Sequence, residues 1–387
     1  MMKDEIFIAA VGQVPVQENW TTSLRELAAL AIRSLKQDCQ LGHPDSLFLA
    51  NMFAPNLSNQ AHLAALTAEY LGWSGIEAVT VEAGGASGGA ALRQAVLALR
   101  SGMVNSAVVL GVEKFSDKIG ADIDVALATT LDADFESMHG LTPSAQAALI
   151  AQLYFHKYHI PSNALAGFAI NAHKNGAGNP FAMYKKAISE DTYLKAEMIN
   201  PPLNLFDIAP NADGAAALFL VRGDHPALRN TDFKIKVSAS TLSTDTLALH
   251  DRREPLDWRA VRLSVQKALE QANLSLAEID LYELHDQFSI YLPIILESAG
   301  IINPGEGWKL GADQWTGLNG RIPLNTMGGL KARGFAGGAS GVYQAVEAIN
   351  QLRGMAGKNQ LDHPHHALIQ ALGGPGATAA THILSLE

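Results

Sequence analysis

Gly84-Gly-Ala-Ser-Gly88 recurs letter for letter as Gly337-Gly-Ala-Ser-Gly341. Each copy opens a helical stretch. The first runs on as Gly89-Ala-Ala-Leu-Arg-Gln-Ala-Val-Leu-Ala-Leu-Arg-Ser-Gly102, the second as Val342-Tyr-Gln-Ala-Val-Glu-Ala-Ile-Asn-Gln-Leu-Arg-Gly354, and Gln-Ala-Val follows in both. Five small residues repeated say little alone. Repeated at equivalent places in two similar β/α series, they read as an internal duplication.

Outward from the first copy, alternating apolar runs and helical periodicities give strands over Ile6–Val14, Ser46–Met52, Val79–Ala83 and Ser106–Glu113. Helices fall over Ser23–Leu35, Gln60–Leu71 and Ala90–Leu99, the last two closed by Gly72 and Gly102. This β-α-β-α-β-α-β order implies a parallel, helix-covered sheet. From Lys114 to Pro210 the chain turns helix-rich and polar, as an insertion on that sheet, and Ala215–Val221 is a strand returning to it. Around the second copy, strands are expected over Phe233–Ser240, Leu281–His285, Ala367–Leu372 and Ala377–Leu384, and helices over Trp258–Ala272, Ser289–Ala299 and Gly341–Leu352.

The 387 residues are 48% hydrophobic and 17% charged, enough apolar chain for a large core. With 34 glycines and few aromatics, the composition favours α/β over all-β. The net charge of -10, with no run of Lys or Arg, argues against nucleic acid or a membrane surface as partner. No stretch of about 18 apolar residues predicts a membrane span. Met1-Met-Lys-Asp-Glu5 leads into an apolar run too short for a signal peptide, so a cytoplasmic location is expected. The one cysteine, Cys39 in Lys36-Gln-Asp-Cys-Gln-Leu-Gly42, excludes an internal disulfide and a zinc cage.

Further blocks stand in a fixed order: Val81-Glu-Ala-Gly-Gly-Ala-Ser-Gly-Gly89, Gly111-Val-Glu-Lys114, Asn171-Ala-His-Lys-Asn-Gly-Ala-Gly-Asn-Pro180, Pro202-Leu203 with Asp207, Asp213-Gly-Ala-Ala-Ala217, Glu283-Leu-His-Asp-Gln-Phe288, Gly328-Gly-Leu-Lys-Ala-Arg-Gly334 and Gly373-Gly-Pro-Gly376. Together they resemble the thiolase superfamily, specifically the sterol-carrier-protein-type and archaeal acetoacetyl-CoA thiolases, over nearly the whole chain. The resemblance implies a thiolase fold: duplicated βαβαβαββ halves forming a five-layer α-β-α-β-α sandwich with a loop domain that covers coenzyme A. The N-terminal half would span 1–114 plus 206–230, the loop domain 115–205 and the C-terminal half 231–387. It also implies a homodimer or dimer of dimers, and no tightly bound cofactor, with coenzyme A arriving as part of an acyl-CoA substrate.

Thiolysis needs a thiolate at a helix N-terminus, where dipole and free amides lower its pKa and cradle the acyl oxyanion. The family pattern sets that cysteine between Glu-Ala-Gly and Ala-Ser-Gly; this chain has Gly85 there. The activating histidine after Gly-Leu-Lys-Ala-Arg-Gly is replaced by Phe335, followed by Ala336, and the second cysteine of a His-Asp-Cys-Phe block by Gln287. Gly85, Phe335 and Gln287 are thus lost catalytic positions by resemblance, and no acyl-enzyme is expected. His285 matches the histidine that binds the thioester oxygen. Amides around Gly85, Gly374 and Gly376 would complete an oxyanion site, with Phe335 on its apolar floor. Asp286, Tyr291 and Tyr343 lie beside the family's catalytic positions and are candidates for the acid and base.

Plainer readings stand beside these. Glycine suits a strand-to-helix turn, helix tyrosines often pack, and a histidine ending a strand is often only hydrogen-bonded. Asp362-His-Pro-His-His366 looks metal-binding by composition, but Pro364 interrupts it and a solvated turn is expected, with no metal. Three functions follow from the resemblance. The first is a non-covalent retro-aldol step on a β-hydroxyacyl-CoA, as in cysteine-less steroid side-chain aldolases that pair with a small zinc-ribbon/OB-fold protein. The second is an inactive subunit scaffolding an acyl-CoA complex. The third is an acetyl-CoA C-acetyltransferase of unusual mechanism.

Overall fold

A computed structural model of the chain describes residues 5–230, 233–313 and 315–387. Residues 1–4, 231–232 and 314 lie outside the described residues, among them 231, where the second half is expected to begin. The first half comprises β1 (Ile6–Gln13), α1 (Leu24–Asp38), β2 (Ser46–Ala50), α2 (Ala54–Leu57), α3 (Leu63–Tyr70), β3 (Glu77–Val81), α4 (Ser87–Ser101) and β4 (Ser106–Glu113). An insertion of α5 (Ala121–Ala128), α6 (Pro143–Tyr158), α7 (Ala166–Gly176), α8 (Glu190–Leu194) and the small pair β5 (Met198–Asn200) and β6 (Leu203–Asn204) precedes β7 (Gly214–Arg222). The second half holds β8 (Ile235–Thr244), α9 (Arg259–Ala272), β9 (Leu281–Leu284), α10 (Tyr291–Ser298), α11 (Gly307–Ala312), α12 (Gly329–Arg333), α13 (Ser340–Leu352), β10 (His366–Gly373) and β11 (Thr378–Leu386).

Local chemistry explains these limits. Ser23 caps α1 and closes a reciprocal pair with Glu26, and the helix buries Leu24, Leu27, Ala28, Ala31, Ile32 and Leu35 at three- and four-residue spacing. Gly102 ends α4 at φ +76, a left-handed turn that glycine takes without strain.

Strand order shows the duplication directly. The ladder runs β3-β2-β4-β7-β1-β8-β11-β10-β9. In each half the first strand lies antiparallel to the last, the last antiparallel to the one before it, and that one parallel to the next. The halves join through two residue pairs, Phe7 with Lys236 and Ile8 with Ile235, so all nine strands form one mixed sheet. The second half departs from a full repeat. Its counterpart of β3 shrinks to a single bridge between Leu324 and Tyr282. Pro323 has no N–H to donate, and Asn325 takes φ +50, so the segment leaves the ladder after one residue.

Helices α4 and α13 pack on each other and touch strands of both halves, forming the middle layer. Helix α1 covers the first half outside and α9 the second, completing five layers. The two repeat turns meet at the centre: a Cβ on Gly88 would lie 2.9 Å from the Gly341 Cα, and one on Gly341 would lie 2.7 Å from the Gly89 nitrogen. Sequence-equivalent glycines thus allow the two helix starts to touch backbone to backbone. Among the described residues no helix is long and apolar enough to cross a membrane.

Candidate active site

The turn between β3 and α4 is held by its own polar groups. Ala83 N donates to Ser87 Oγ at 2.9 Å, Ser87 Oγ donates to the Gly84 carbonyl at 2.6 Å, and Gly84 N donates to Glu82 Oε1 at 2.6 Å. This turn abuts the end of β10, since a Cβ on Gly84 would lie 3.3 Å from the Gly373 Cα. A Cβ on Gly85 would lie 2.6 Å from the Leu372 carbonyl oxygen, 2.8 Å from His285 Cε1 and 3.2 Å from His285 Nε2. The first repeat turn, the histidine at the end of β9 and the β10 end therefore converge, from three segments distant in sequence.

His285 is 1% exposed, and its Nδ1 has no hydrogen-bond partner. Burial pushes its pKa down to about 3, against a smaller upward effect of the Gln287 side chain, so the imidazole is neutral at physiological pH. The Phe335 ring stands edge-on to it at 6.1 Å, followed by Phe115 at 6.1 Å from Phe335 and Phe53 at 5.8 Å from Phe115. These rings, with Leu57, Ala126, Ala209 and Leu330, make an apolar cluster beside the histidine. Gln287 is held through its carbonyl, which accepts from Ala209 N at 2.8 Å.

Other expected residues are placed differently. Tyr343 is fully buried in the middle layer, and its hydroxyl donates to the Val14 carbonyl at 2.8 Å. Burial pushes its pKa up, and Arg333 lies over its ring at 5.1 Å. Tyr291 is wedged between Trp258 and Phe288, with ring centroids at 4.9 and 5.2 Å, and burial raises its phenol too. Asp286 is engaged by α12: its Oδ1 accepts from Leu330 N at 2.7 Å, while its Oδ2 would lie 2.4 Å from a Cβ on Gly329. It is a positioning residue for α12. Gly376 spends its amide on the Gly374 carbonyl at 2.8 Å and packs on Trp258, so that amide is not an oxyanion donor in this conformation. Cys39 caps the end of α1 against the outer apolar cluster, and burial pushes its thiol up to about 11.

Sequence reading missed two buried polar centres. Glu113, at the end of β4, accepts from Asn51 Nδ2 at 2.8 Å, Met52 N at 2.9 Å, Phe53 N at 3.2 Å and Gly338 N at 3.0 Å. It closes the second repeat turn, as Leu372 and Gly373 close the first. Lys331, on α12, is 1% exposed and donates to the Asp207 carbonyl at 2.7 Å. The Asp207 carboxylate takes the Tyr193 hydroxyl and the Asn204 amide. Both centres sit in quoted motifs, Gly111-Val-Glu-Lys114 and Gly328-Gly-Leu-Lys331, but nothing local marks those side chains as buried.

Lys331 lies on the wall of a cavity of about 810 Å³. Apolar residues of the insertion and of 205–210 line most of it, and His173, Lys185 and Lys186 supply polar groups. Gly85 and His285 are not on this wall. The strip Ile208–Asn211 is, and its Pro210 carbonyl accepts from Phe335 N at 2.8 Å. Cavity and histidine are thus neighbours, divided by the Pro210–Asn211 backbone and Phe335. Among the described residues, no group of three or more His, Cys, Asp or Glu is placed to hold a metal; in the 362–366 tract His363 is exposed and His366 Nδ1 pairs with Ser385 Oγ at 2.9 Å.

Family models for the thiolase N-terminal domain and the thiolase C-terminal domain-like region match residues 10–224 and 241–386. The chain belongs to the thiolase superfamily. Among its thiolase relatives, the acetyl-CoA acetyltransferase of Methanothermobacter thermautotrophicus is 35% identical over 383 residues, covering 98% of this chain and 99% of that protein. The 17-hydroxy-3-oxo-4-pregnene-20-carboxyl-CoA lyase of Mycobacterium tuberculosis is 27% identical over 392 residues, covering 96% of this chain and 97% of that one. Among solved structures, an Ltp2-ChsH2(DUF35) aldolase superposes with a TM-score of 0.83 at 24% identity, covering 100% of this chain and 98% of that one, and human mitochondrial 3-ketoacyl-CoA thiolase with 0.76 at 16%, covering 100% of each. These two likenesses concern the fold.

Proposed function

We propose that this thiolase-like protein handles acyl-CoA without a cysteine nucleophile, and breaks a carbon–carbon bond of a β-hydroxyacyl-CoA by a retro-aldol step. One observation supports the reading: at Gly85, which the family resemblance sets at the nucleophile position, the Leu372 carbonyl and His285 ring close in so tightly that a Cβ would lie 2.6 Å from the former. The backbone there is shaped for glycine. What is left is chemistry without an acyl-enzyme: a neutral imidazole beside a thioester oxygen, stabilising the enolate that C–C cleavage creates. A cavity of about 810 Å³, divided from His285 by Phe335 and the Pro210–Asn211 backbone, is of a size that takes a pantetheine arm. The relative named as a CoA lyase supports the reaction class.

Incubation with a panel of 3-hydroxyacyl-CoAs, from 3-hydroxybutyryl-CoA to bulky alicyclic ones, is expected to release a ketone or aldehyde and a shortened acyl-CoA. His285→Ala is expected to lower turnover about 100- to 1000-fold. Unchanged turnover in His285→Ala would remove the imidazole from the mechanism. A second reading, acetyl-CoA acetyltransfer, is favoured by the name of the 35%-identical relative. Iodoacetamide-sensitive cleavage of acetoacetyl-CoA would establish it. A scaffolding role without turnover, and a small zinc-ribbon/OB-fold partner, are carried over from the family resemblance and tested by copurification. We further infer a homodimer formed at the free edge of β3.

A further inference from the structure

We infer that the cavity of about 810 Å³ is a binding site in its own right, for an organic carboxylate with an apolar body such as a medium-chain fatty acid, its anionic head on Lys331 and its chain along the apolar wall. The site goes beyond the retro-aldol reading and does not depend on it, since Phe335 and the Pro210–Asn211 backbone divide the cavity from His285.

The charges of the lining carry the inference. The chain has a net charge of -10, yet among the described residues that line the cavity the charged ones are all lysines: Lys331, Lys185 and Lys186. Lys185 and Lys186 are exposed, whereas Lys331 is buried. A buried ammonium is costly unless acceptors or an anion match it. Lys331 Nζ donates to the Asp207 carbonyl at 2.7 Å, a neutral acceptor that takes one of its three N–H groups. Burial lowers its pKa to about 8, opposed by Asp286 and Asp207, so at neutral pH the amine is mostly protonated. Both of those carboxyls are engaged elsewhere, Asp286 with the Leu330 amide and Asp207 with the Tyr193 hydroxyl and the Asn204 amide.

The rest of the wall is largely apolar. His173 stacks on Tyr184 with ring centroids at 5.7 Å and meets Phe206 edge-on at 5.4 Å. Burial holds the His173 pKa down at about 4, so this ring is neutral, and it is hydrogen-bonded to the Lys186 backbone. Met183 N and Tyr184 N donate to the Arg333 and Ala332 carbonyls at 2.9 Å each, which lays the lysine-bearing strip along α12, the helix of Lys331. Ile188, Ile199 and Ile208 extend the apolar surface. The volume falls within the roughly 300–1,000 Å³ usual for small-molecule sites. An inorganic anion would leave this wall without an apolar partner, and a hydrocarbon would leave the Lys331 ammonium unmatched. A carboxylate on an apolar body satisfies both.

The test is calorimetry on the whole chain with straight-chain acids from butanoate to decanoate, and with 1-octanol, inorganic phosphate and coenzyme A beside them. The acids are expected to bind at one site per chain and to tighten about fourfold per added methylene until the wall is filled. Octanoate is expected to bind roughly 10- to 100-fold more tightly than 1-octanol, and inorganic phosphate not to register. In Lys331→Met, octanoate is expected to fall to the affinity of 1-octanol while 1-octanol itself binds as before, a pattern that a damaged fold would not give. Should that variant fail to fold, the wild-type ratio of octanoate to octanol affinity decides. Equal affinities for the two, no binding of any acid, or a preference for octanoate that survives in a folded Lys331→Met would each overturn the proposal. So would binding of coenzyme A, lost in Lys331→Met, with no binding of the acids, which would give the cavity to the thioester. None of these readouts uses turnover, so failure here leaves the retro-aldol reading standing, and absence of 3-hydroxyacyl-CoA cleavage leaves this site standing.

Discussion

At the scale of single residues, Gly85 decides what this protein can be. A side chain there meets a backbone carbonyl rather than a flexible group: the Leu372 oxygen would lie 2.6 Å from a Cβ, inside any tolerable contact. Overpacking of this kind costs about 1–3 kcal/mol. Gly85→Cys is therefore expected to lower the thermal midpoint and, since the family resemblance sets Phe335 at the activating position, edge-on to His285, not to create a thiolase. Mass spectrometry after incubation with acetyl-CoA should find no acetylated chain; a stoichiometric acyl-enzyme would sink the argument. Gly85 and His285 were legible in the sequence because short motifs fix their local geometry. Tyr343 was not, because its hydroxyl partner, Val14, lies 329 residues away and helical spacing does not say which buried face a phenol meets. Lys331 is buried, which its short run of small and charged residues gives no sign of.

At the scale of elements, the sequence shows the repeat but not how its copies were made unequal. The Gly337–Gly338 turn is closed by a carboxylate, for a Cβ on Gly337 would lie 2.5 Å from Glu113 Cγ and Gly338 N donates to Glu113 Oε2 at 3.0 Å. The Gly84–Gly85 turn is left to His285 and the β10 end. Thus one copy is closed by a carboxylate and the other by an imidazole and a strand end. The reduced counterpart of β3 in the second half was equally hidden, since one proline and one left-handed asparagine decide it. Glu113 makes a pH prediction. Burial raises its pKa to about 7, although four donors pull the other way. A group whose folded pKa lies above its unfolded value contributes stability that is complete below about pH 4.5 and is lost as pH rises through about 7. Glu113→Gln cannot titrate. Its thermal midpoint is expected to gain on that of the wild type between pH 5 and 8, whatever fixed offset the lost acceptor imposes. Parallel curves across that range would show that Glu113 stays ionised throughout.

At the scale of the whole molecule, the nine-stranded sheet ends differently on its two sides. Strand β9 is buried along its length. Strand β3 is bonded only to β2, is exposed or half-buried at every position, and leaves Val79 about half exposed. Leu97, on the adjoining α4, is exposed as well. An open edge is a template for another strand, and natural sheets protect such edges unless they are used. Two copies of β3 related by a two-fold axis would pair antiparallel, residue i of one copy meeting residue j of the other and j meeting i, and extend the sheet without offering a new edge for further growth. This is the geometric basis for the proposed homodimer. It also bears on the site, because β3 runs directly into the turn that carries Gly85, so pairing at β3 would brace that turn against His285. Val79→Lys sets a charge on the edge while leaving the β2 ladder intact. In sedimentation at micromolar concentration the wild type is expected to run as a dimer and the variant to shift toward monomer, with 3-hydroxyacyl-CoA turnover falling as the monomer fraction rises. A wild type that sediments as a monomer, or a lysine variant that stays dimeric, would move the interface away from this edge.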